Sequence, residues 1–521
     1  MNEHSTTEVL IIGAGPTGLT LACDLARRGT SFRVIDGADR PSTASRAKTI
    51  QPRALEVADD LGVIDRVLEE GIVHVPTRHY DRDRVVSEAV EAAVGMTAPG
   101  VPYAPVWLSQ PRFEAILRDR LTDLGGTVEW GAAVTGLRQD DDGVTVEVRT
   151  AAGTGEIRAR YVVGCDGGRS TVRQEIGVAL EGTSYPDQRW HLGDVRVDGL
   201  DRHCQHLWMS PEHGILSLFP LPGTDIWQFQ ASIPADEAEP AAPSLELFRR
   251  IFAERAGVPD VELQDADWLS LYKINVCLAD RYRVGRVFLA GDAAHIHSPA
   301  GGQGMNTGIQ DAYNLGWKLA AVLDGADAAL LDTYEQERRP VAQAVLGDST
   351  ARLHAVMSAA ADGDGSTAQR GLTGDFTTGL TIAYPDSPLS HHAQHRADGV
   401  RAGDRAPDAT CLDAATGDRI RLFDLLRGPH WTLLSFGDAH PKFRNTAASG
   451  VPLRTYRVTT GSTAARPGAV VDADGLARKI YGVGEDELVL IRPDGYVATR
   501  VRSGESADAV RRAMMLPAHR S

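Results

Sequence analysis

The chain has 521 residues, of which 42% are hydrophobic and 24% charged, so a globular protein of two or three domains is expected. Its formal net charge of −16 argues against a surface for nucleic acid or for an anionic membrane. Its five cysteines are scattered without a Cys-x-x-Cys pair, which argues against a disulfide framework or zinc site. With no secretory leader and no apolar run of membrane-spanning length, we expect a cytoplasmic protein.

The N-terminal region carries a glycine-rich turn between short apolar segments. Residues 9–12 (VLII) predict a buried strand, residues 13–18 (GAGPTG) follow at once, and residues 19–28 and 32–36 predict a helix and a second strand. In this order the first glycine allows the tight turn, the second lets the backbone approach a pyrophosphate, and the third lets the helix pack on the strand. The positive end of the helix then meets the phosphate charge, and Asp36 is placed to bind ribose hydroxyls.

Three later positions could contribute to the same nucleotide. Arg46, in the basic segment 45–53 (SRAKTIQPR), can reach a phosphate or a flavin edge, although a solvated loop also explains the segment. Gln110 stands just before a predicted helix and either bonds a ribityl chain or caps the helix, and both interpretations stay open. Asp166 follows a predicted strand and can hold the adjacent loop or accept a hydrogen bond from the cofactor or a nicotinamide.

Between residues 190 and 276 the pattern changes to short alternating runs separated by turn residues. This pattern predicts a meandering sheet inserted inside the nucleotide-binding unit. The aromatic residues of this segment are Trp208, Phe219, Trp227 and Phe229. Most of them are expected in the core and a few against a ligand, and periodicity does not identify which ones.

The chain then returns to the nucleotide-binding pattern. Residues 286–292 (RVFLAGD) predict a buried strand that ends in Gly-Asp, a glycine-rich loop follows, and residues 307–323 predict a long helix. Asp292 suits a ribityl hydroxyl, and the helix start brings N–H groups and a positive dipole end to the flavin N1/O2 side. His295 and His297 have no third ligand beside them, so we expect no metal.

Together these motifs resemble the class A flavoprotein aromatic hydroxylases, typified by p-hydroxybenzoate hydroxylase. The similarity covers about residues 7–355. Segments 45–53 and 299–306 (PAGGQGMN) are typical of the actinobacterial polyketide hydroxylase branch. The features in the family's order and spacing are residues 13–18, Arg46, Gln110, residues 165–167 (CDG) and residues 291–292.

The resemblance implies an enzyme that holds FAD non-covalently, takes electrons from NADPH or NADH, and uses O2. It would hydroxylate an aromatic polyketide or related polycyclic phenol or quinone through a flavin C4a-hydroperoxide, while the protein positions the substrate and excludes water. No catalytic residue is assigned, but Arg46 and Pro299 would lie near the flavin ring. The predicted cofactor contacts are Gly13, Ala14, Gly15, Pro16, Thr17, Gly18, Asp36, Arg46, Ala47, Lys48, Gln110, Val134, Asp166, Asp292, Pro299, Gly301, Gly302, Gln303, Gly304, Met305 and Asn306.

The predicted fold is α/β: a Rossmann-like FAD-binding domain with an inserted, mostly antiparallel substrate sheet, followed by a thioredoxin-like C-terminal domain. Cys411 is the only cysteine of that last domain, so a dithiol cycle is impossible there and a structural or dimerisation role is favoured. We expect a monomer or homodimer whose partner is a small aromatic substrate. The boundaries are 1–186 and 278–357 for the FAD domain, 187–277 for the substrate sheet, 358–402 for a connecting segment and 403–521 for the C-terminal domain.

Other flavoproteins share parts of the pattern. A flavin oxidase or dehydrogenase that never inserts oxygen stays open, as does a Baeyer–Villiger or epoxidising monooxygenase of the same fold. Disulfide reductases are excluded because no redox cysteine pair follows the glycine-rich turn. Flavin halogenases are disfavoured because no W-x-W-x-x-P occurs. Nothing in the sequence indicates a non-catalytic FAD-binding partner.

Overall fold

Four β-sheets organise the part of the chain that the computed structural model describes. None of the helices in that part is long and apolar enough to cross a membrane. Pro299 and Gly301, both predicted cofactor contacts, lie outside it. The described residues are 5–73, 75–89, 99–234, 237, 239–298, 302–361, 375–392, 398–437, 451–461, 468–502 and 506–514.

Strands and helices alternate in the first third of the chain, strands dominate the middle, and both occur towards the end. The strands are β1 (Ser5–Ile12), β2 (Phe32–Ile35), β3 (Thr49–Ile50), β4 (Ile72–Val73), β5 (Thr77–Asp81), β6 (Arg84–Ala89), β7 (Val106–Trp107), β8 (Val128–Glu129), β9 (Ala133–Gln139), β10 (Val144–Thr150), β11 (Gly153–Gly164), β12 (Leu180–Asp198), β13 (Gln205–Ser210), β14 (Gly214–Pro220), β15 (Ile226–Ser232), β16 (Glu262–Ala279), β17 (Arg283–Val284), β18 (Val287–Leu289), β19 (His295–Ile296), β20 (Thr410–Asp413), β21 (Arg419–Arg421), β22 (Trp431–Phe436), β23 (Leu453–Thr459), β24 (Ala469–Val471), β25 (Glu487–Ile491) and β26 (Val497–Arg502). The helices are α1 (Pro16–Arg27), α2 (Pro52–Asp60), α3 (Ile64–Glu70), α4 (Gln110–Asp123), α5 (Thr171–Glu175), α6 (Leu245–Ala256), α7 (Gln303–Leu323), α8 (Asp332–Ala361), α9 (Leu422–Leu426), α10 (Leu476–Tyr481) and α11 (Ser506–Met514), with short 3-10 helices at Gly291–Ala293, Ala328–Leu331 and Asp375–Thr378.

The first sheet has a parallel core in the order β18-β11-β1-β2-β8. Its central strands are nearly continuous runs of Val, Leu and Ile because a parallel sheet is covered on both faces. Helix α1 packs against α4 and α7. The carboxyl ends of β1, β11 and β18 therefore lie side by side, which is the edge where open α/β sheets bind ligands.

The second sheet runs in the order β19-β16-β12-β15-β14-β13-β5-β6. Its strands come from more of the chain than residues 187–277. The hairpin of β5 and β6 joins the edge through a parallel pairing of β5 with β13, and β19 pairs with β16. The hairpin satisfies backbone groups that β13 would otherwise expose at an edge. A third, small sheet has the order β3-β7-β4.

The fourth sheet lies in the C-terminal region, with the order β21-β20-β24-β23-β22-β25-β26. It shares a hydrophobic core with the first sheet and the helices that pack on that sheet. Trp431 of β22 packs edge-on against Trp317 of α7, with ring centroids 5.8 Å apart. A buried ion pair crosses the same boundary: Glu337 of α8, which also pairs with Lys318 of α7 at 2.7 Å, pairs with Arg492 of the C-terminal region at 2.6 Å. The C-terminal region is thus joined to the rest of the protein through a buried surface. The four sheets and their helices together confirm the predicted α/β class.

Candidate cofactor and substrate site

The turn after β1 contains three glycines, and each position has a different structural reason for lacking a side chain. Gly13 has a φ of +107°, and a Cβ there would lie 2.3 Å from the Cys165 carbonyl oxygen. A Cβ on Gly18 would lie 1.9 Å from the Gly13 carbonyl oxygen. A Cβ on Gly15, at the start of α1, would meet no atom within 4 Å. The fold therefore requires Gly13 and Gly18, whereas Gly15 leaves an open approach to the helix N-terminus, as a bound pyrophosphate needs.

Asp36, just after β2, braces this turn. Its Oδ2 accepts a hydrogen bond from the Ala14 N–H at 2.8 Å, and its Oδ1 accepts one from the Ala38 N–H at 2.8 Å. The Asp36 carbonyl accepts the N–H of Ala132 at 2.8 Å, and Val134 lies half-buried two residues further, in β9. The carboxylate is half-exposed at the sheet edge. Its contact with a ribose stays a prediction.

Asp311 of α7 holds the Gly-Asp turn that follows β18. Its Oδ2 accepts the Gly291 N–H at 3.1 Å and lies 2.6 Å from His295 Nε2, while its Oδ1 accepts Arg338 Nε at 2.7 Å. Burial raises the pKa of Asp311, but His295 and Arg338 outweigh it and hold that pKa at about 2. Asp311 is therefore an anion that fixes the backbone from which Asp292 projects.

Asp292 is the carboxylate best placed for a cofactor. Solvent reaches its side chain, yet protein surrounds it closely enough that burial raises its pKa, against the lowering influence of His295 and Arg46. Among the described residues, no donor forms a hydrogen bond with this carboxylate. A Cβ on Gly304 would lie 3.8 Å from Asp292 Oδ1, so α7 begins beside it. A carboxylate without a protein donor beside a helix N-terminus fits a polyhydroxyl chain such as ribityl.

The three motifs that are distant in sequence meet at this edge of the sheet. The Cys165 N–H donates to the Ile12 carbonyl at 2.7 Å, and the Ala290 N–H donates to the Gly164 carbonyl at 3.0 Å. The Thr17 hydroxyl lies 2.5 Å from the position that a Cβ would take on Gly291. The turn after β1, the end of β11 and the Gly-Asp turn thus form one continuous surface.

Two predicted contacts, Asp166 and Gln110, form hydrogen bonds within the protein at this surface. Asp166 accepts hydrogen bonds from the Ser170 hydroxyl at 2.5 Å and the Val172 N–H at 3.1 Å, so it stabilises the start of α5. Gln110 is the first residue of α4 and is not its cap, a position that Ser109 occupies. Its side-chain amide donates to Glu114 at 2.8 Å, and a cofactor contact stays a prediction for both residues.

The start of α7 is tied to the segment that contains β3. Asn306 Oδ1 accepts the Gln51 N–H at 2.8 Å, and its Nδ2 donates to the carbonyls of Thr49 at 3.0 Å and Gly302 at 2.7 Å. Gln303 donates to the Thr377 carbonyl at 2.6 Å. These amides connect chain segments, which leaves the backbone N–H groups of this helix start as the groups that can meet a flavin.

The basic segment points in two directions. Arg46 is exposed, and its charge lowers the pKa of Asp292 and of Glu114 against the larger effect of burial. Two residues later Lys48 turns to the second sheet, where its Nζ donates to Gln228 Oε1 at 3.0 Å. The Ala47 carbonyl accepts the Gln110 N–H at 2.9 Å, so this segment lies beside the start of α4.

The two faces of the second sheet differ in how deeply their aromatic residues are buried. Trp208, Trp227 and Phe229 are fully buried against α6. Phe219 points to the opposite face, is half-buried and packs against Trp107 with centroids 5.7 Å apart. Other half-buried apolar residues of this face include Leu192, Leu207, Met209 and Tyr272.

Sequence reasoning did not single out Asp194, Gln228 or Asp311. Asp194 and Gln228 occupy strand positions next to core residues, so the two-residue period of a strand could have placed them on the face opposite α6. Asp311 is the single acidic residue of the predicted helix 307–323, and an acidic residue in a helix that is otherwise buried is a signal of an ion pair.

Comparisons with known proteins found matching family models, relatives and solved structures. Residues 6–349 match the family model described as FAD binding domain, and residues 400–516 match the one described as aromatic-ring hydroxylase, C-terminal. A flavin-dependent monooxygenase of Mycobacteroides abscessus is 42% identical over 96% of this chain and 98% of its own length. The 6-methylpretetramide 4-monooxygenase of Streptomyces rimosus is 35% identical over 96% and 92%. The crystal structure of an aklavinone-11 hydroxylase with FAD and aklavinone has a TM-score of 0.79 at 29% identity, covering 99% of this chain and 100% of that one.

Proposed function

This chain belongs to the family of FAD-dependent aromatic-ring hydroxylases and is an FAD monooxygenase, and we propose that its substrate is a polycyclic phenol or quinone of the aromatic-polyketide class. The full-length relatives named for 6-methylpretetramide and for aklavinone support this substrate class. An oxidase or dehydrogenase is not favoured, because these relatives insert oxygen by name.

The half-buried face of the second sheet is the observation that carries this proposal. It combines Phe219 with apolar side chains and a small number of polar groups around Lys48 and Gln228. An apolar surface with a few placed polar groups is how proteins bind flat aromatic ligands. A sheet this wide suits several fused rings, and the basic segment at its border adjoins the predicted flavin contacts.

The cofactor contacts follow from the same geometry. FAD supplies electron transfer from NADPH or NADH and the activation of O2 for transfer of one oxygen atom to the substrate. We propose that Gly15 and the start of α1 bind its pyrophosphate, that Asp36 binds its ribose, and that Asp292 binds its ribityl chain. Arg46 and the start of α7 then supply positive potential at the ring.

The domain assignments also stand as proposals. The order β26-β25-β22-β23, with β22 parallel to β23 and antiparallel to β25, supports a thioredoxin-like C-terminal domain. Its Cys411 is buried, and burial raises the pKa of this thiol to about 12, so the thiol stays protonated. A structural role therefore suits this domain better than redox chemistry.

Anaerobic rapid-mixing reduction tests the function. The holoenzyme is mixed with NADPH or NADH, with and without a hydroxyanthraquinone, and loss of flavin absorbance is followed. We expect the aromatic ligand to accelerate reduction, and mass spectrometry after aerobic turnover to show a product with one added oxygen atom and an intact ring. Equal reduction rates without an oxygenated product would favour a dehydrogenase. A ring-expanded or epoxide product would instead favour the other oxygen-inserting reactions.

A further inference from the structure

The side chain of Lys48 has an unusual environment between the basic segment and the second sheet. Its Nζ lies 3.7 Å from the centroid of the Phe219 ring and has one hydrogen-bond acceptor among the described residues, Gln228 Oε1. That oxygen also accepts the Gln230 amide at 2.6 Å. An ammonium group has three N–H donors, so two remain for another acceptor on this half-buried face.

Asp194 lies beside this group without forming a direct ion pair with it. The carboxylate is 2% exposed, and its Oδ2 accepts the Ser45 N–H at 2.8 Å. Its Oδ1 has no hydrogen-bond partner in the part of the chain that the structure describes. A buried carboxylate oxygen without a partner is costly and marks a place where a polar ligand atom can bind.

The backbone next to Lys48 is held firmly to the same strand pair. The Gln228 amide donates to the Ser45 carbonyl, while the Ser45 N–H donates to Asp194. Both backbone polar groups of Ser45 are thus fixed, its N–H to β12 and its carbonyl to β15. The contacts of the Lys48 amine with Gln228 and the Phe219 ring then position it before any ligand binds, as a catalytic group requires.

The charge state of Lys48 follows from these surroundings. Burial lowers its pKa to about 7, although Asp194 on β12 acts in the opposite direction. The contacts from β14 and β15, Phe219 and Gln228, are neutral. The amine therefore exists partly in its free-base form near neutral pH and can accept a proton.

We propose that Lys48 takes the proton of a hydroxyl group on the bound aromatic substrate and then holds the resulting oxyanion above Phe219. The inference rests on the proposed function, because it assigns a role at that same substrate face. The substrate O–H bond breaks, an N–H bond forms on Nζ, and the electron pair stays on the oxygen. Ionisation raises the electron density of the ring carbons that must accept oxygen. The Asp194 Oδ1 atom is placed to accept a hydrogen bond from a second substrate hydroxyl, one that keeps its proton.

The test uses alizarin, a dihydroxyanthraquinone whose ionised form absorbs at longer wavelength than oxidised flavin. The FAD-loaded enzyme is titrated with the dye at a series of pH values without NADPH, so that no turnover occurs. We expect the wild type to bind the anion, with the ionisation constant of the bound dye increased relative to the free dye. In Lys48→Met that constant should fall by about tenfold or more, a shift of about one pKa unit. Lys48→Arg should keep the bound dye anionic because it restores the positive charge.

The matched control is Lys479→Met on α10, an exposed lysine that should leave the titration unchanged. Identical titration curves for the wild type and Lys48→Met would overturn the role of Lys48, as would a wild type that binds the neutral dye. If Lys48→Met loses its FAD, the spectra of alizarin bound to the wild type and to Lys48→Arg still show whether a positive charge at this position keeps the dye anionic. A wild type that binds neither alizarin nor other hydroxyanthraquinones would instead contradict the proposed substrate class.

Discussion

At the scale of single residues, the environments of two carboxylates distinguish a proposed cofactor contact, Asp292, from a structural group, Asp311. Asp311 is saturated by Gly291, His295 and Arg338, whereas Asp292 has no donor among the described residues. Sequence reasoning identified Asp292 but did not single out Asp311. The Gly-Asp motif predicted Asp292, but the partner that fixes its turn lies in a helix and depends on tertiary packing.

Asp292→Ala should weaken FAD binding, because it removes a charged hydrogen bond to the ribityl chain. The expected loss is about 1.5–3 kcal/mol, measured by titrating apoprotein with FAD and following flavin fluorescence. Asp324→Ala, at the exposed opposite end of α7, is the matched control and should bind FAD like the wild type. Stoichiometric, tight FAD in the Asp292 variant would show that this carboxylate does not hold the cofactor.

Asp194 should make the stability of the protein depend on pH. Burial raises its pKa to about 6, although the Ser45 N–H opposes the shift, so the folded state binds this proton more tightly than the unfolded state. The resulting stabilisation is present below the unfolded pKa of about 4 and is lost as pH rises through about 6. Asp194→Asn has no such proton to lose. Its free energy of unfolding, relative to that of the wild type, should therefore increase by about 2–3 kcal/mol between pH 4 and pH 7.5.

Urea unfolding at several pH values measures this difference, with Asp324→Asn as the exposed control. A difference in unfolding free energy between Asp194→Asn and the wild type that does not change with pH would contradict the assignment.

At the scale of elements, the unit formed by β1, the glycine turn and α1 was predicted correctly from local sequence. Its steric rules act between neighbouring residues, so a window of about twenty residues contains them. The second sheet was predicted less completely. Its hairpin of β5 and β6 belongs to that sheet through pairing of Thr77 with Gln205, a contact across more than one hundred residues that periodicity does not reveal.

Gly15→Ala and Gly18→Ala separate cofactor approach from packing within this unit. Because a Cβ on Gly15 meets no protein atom and φ is −75°, Gly15→Ala should fold with an unchanged Tm. It should nevertheless bind FAD at least about tenfold more weakly, since the methyl group blocks the pyrophosphate.

Gly18→Ala should instead lower the Tm, because its Cβ would overlap the Gly13 carbonyl. Differential scanning calorimetry and FAD titration of both proteins make the comparison. Normal FAD affinity in Gly15→Ala would contradict the proposed path of the pyrophosphate.

At the scale of the whole molecule, buried charge joins the C-terminal region to the rest. Arg492 and Lys318 both contact Glu337, and all three side chains are fully buried. Arg492→Met should destabilise the protein by about 3–5 kcal/mol, because it leaves a buried carboxylate short of compensation. Urea unfolding measures the change, with the exposed Arg419→Met as control. Similar unfolding free energies for both variants would show that this network contributes little.

Removing the C-terminal region should affect solubility before it affects flavin chemistry. Trp431, Leu433 and Leu488 share a core with the first sheet region, so a chain that ends at residue 402 exposes apolar surface. We expect it to aggregate, while the predicted FAD contacts all precede that cut. Size-exclusion chromatography and flavin absorbance distinguish the effects. A soluble monomer that has lost FAD would mean that this region closes over the cofactor.

The amino-acid sequence by itself determined the cofactor, FAD, and the α/β class, because glycine turns, strand ends and helix starts are local features. The comparisons confirmed the family that these motifs indicated. Tertiary structure decided where Lys48 points. It was predicted as a cofactor contact, yet its amine bonds Gln228, 180 positions away, on the sheet that we propose binds substrate. Only folding brings such residues together, because the direction of a side chain depends on which distant strand its own segment packs against.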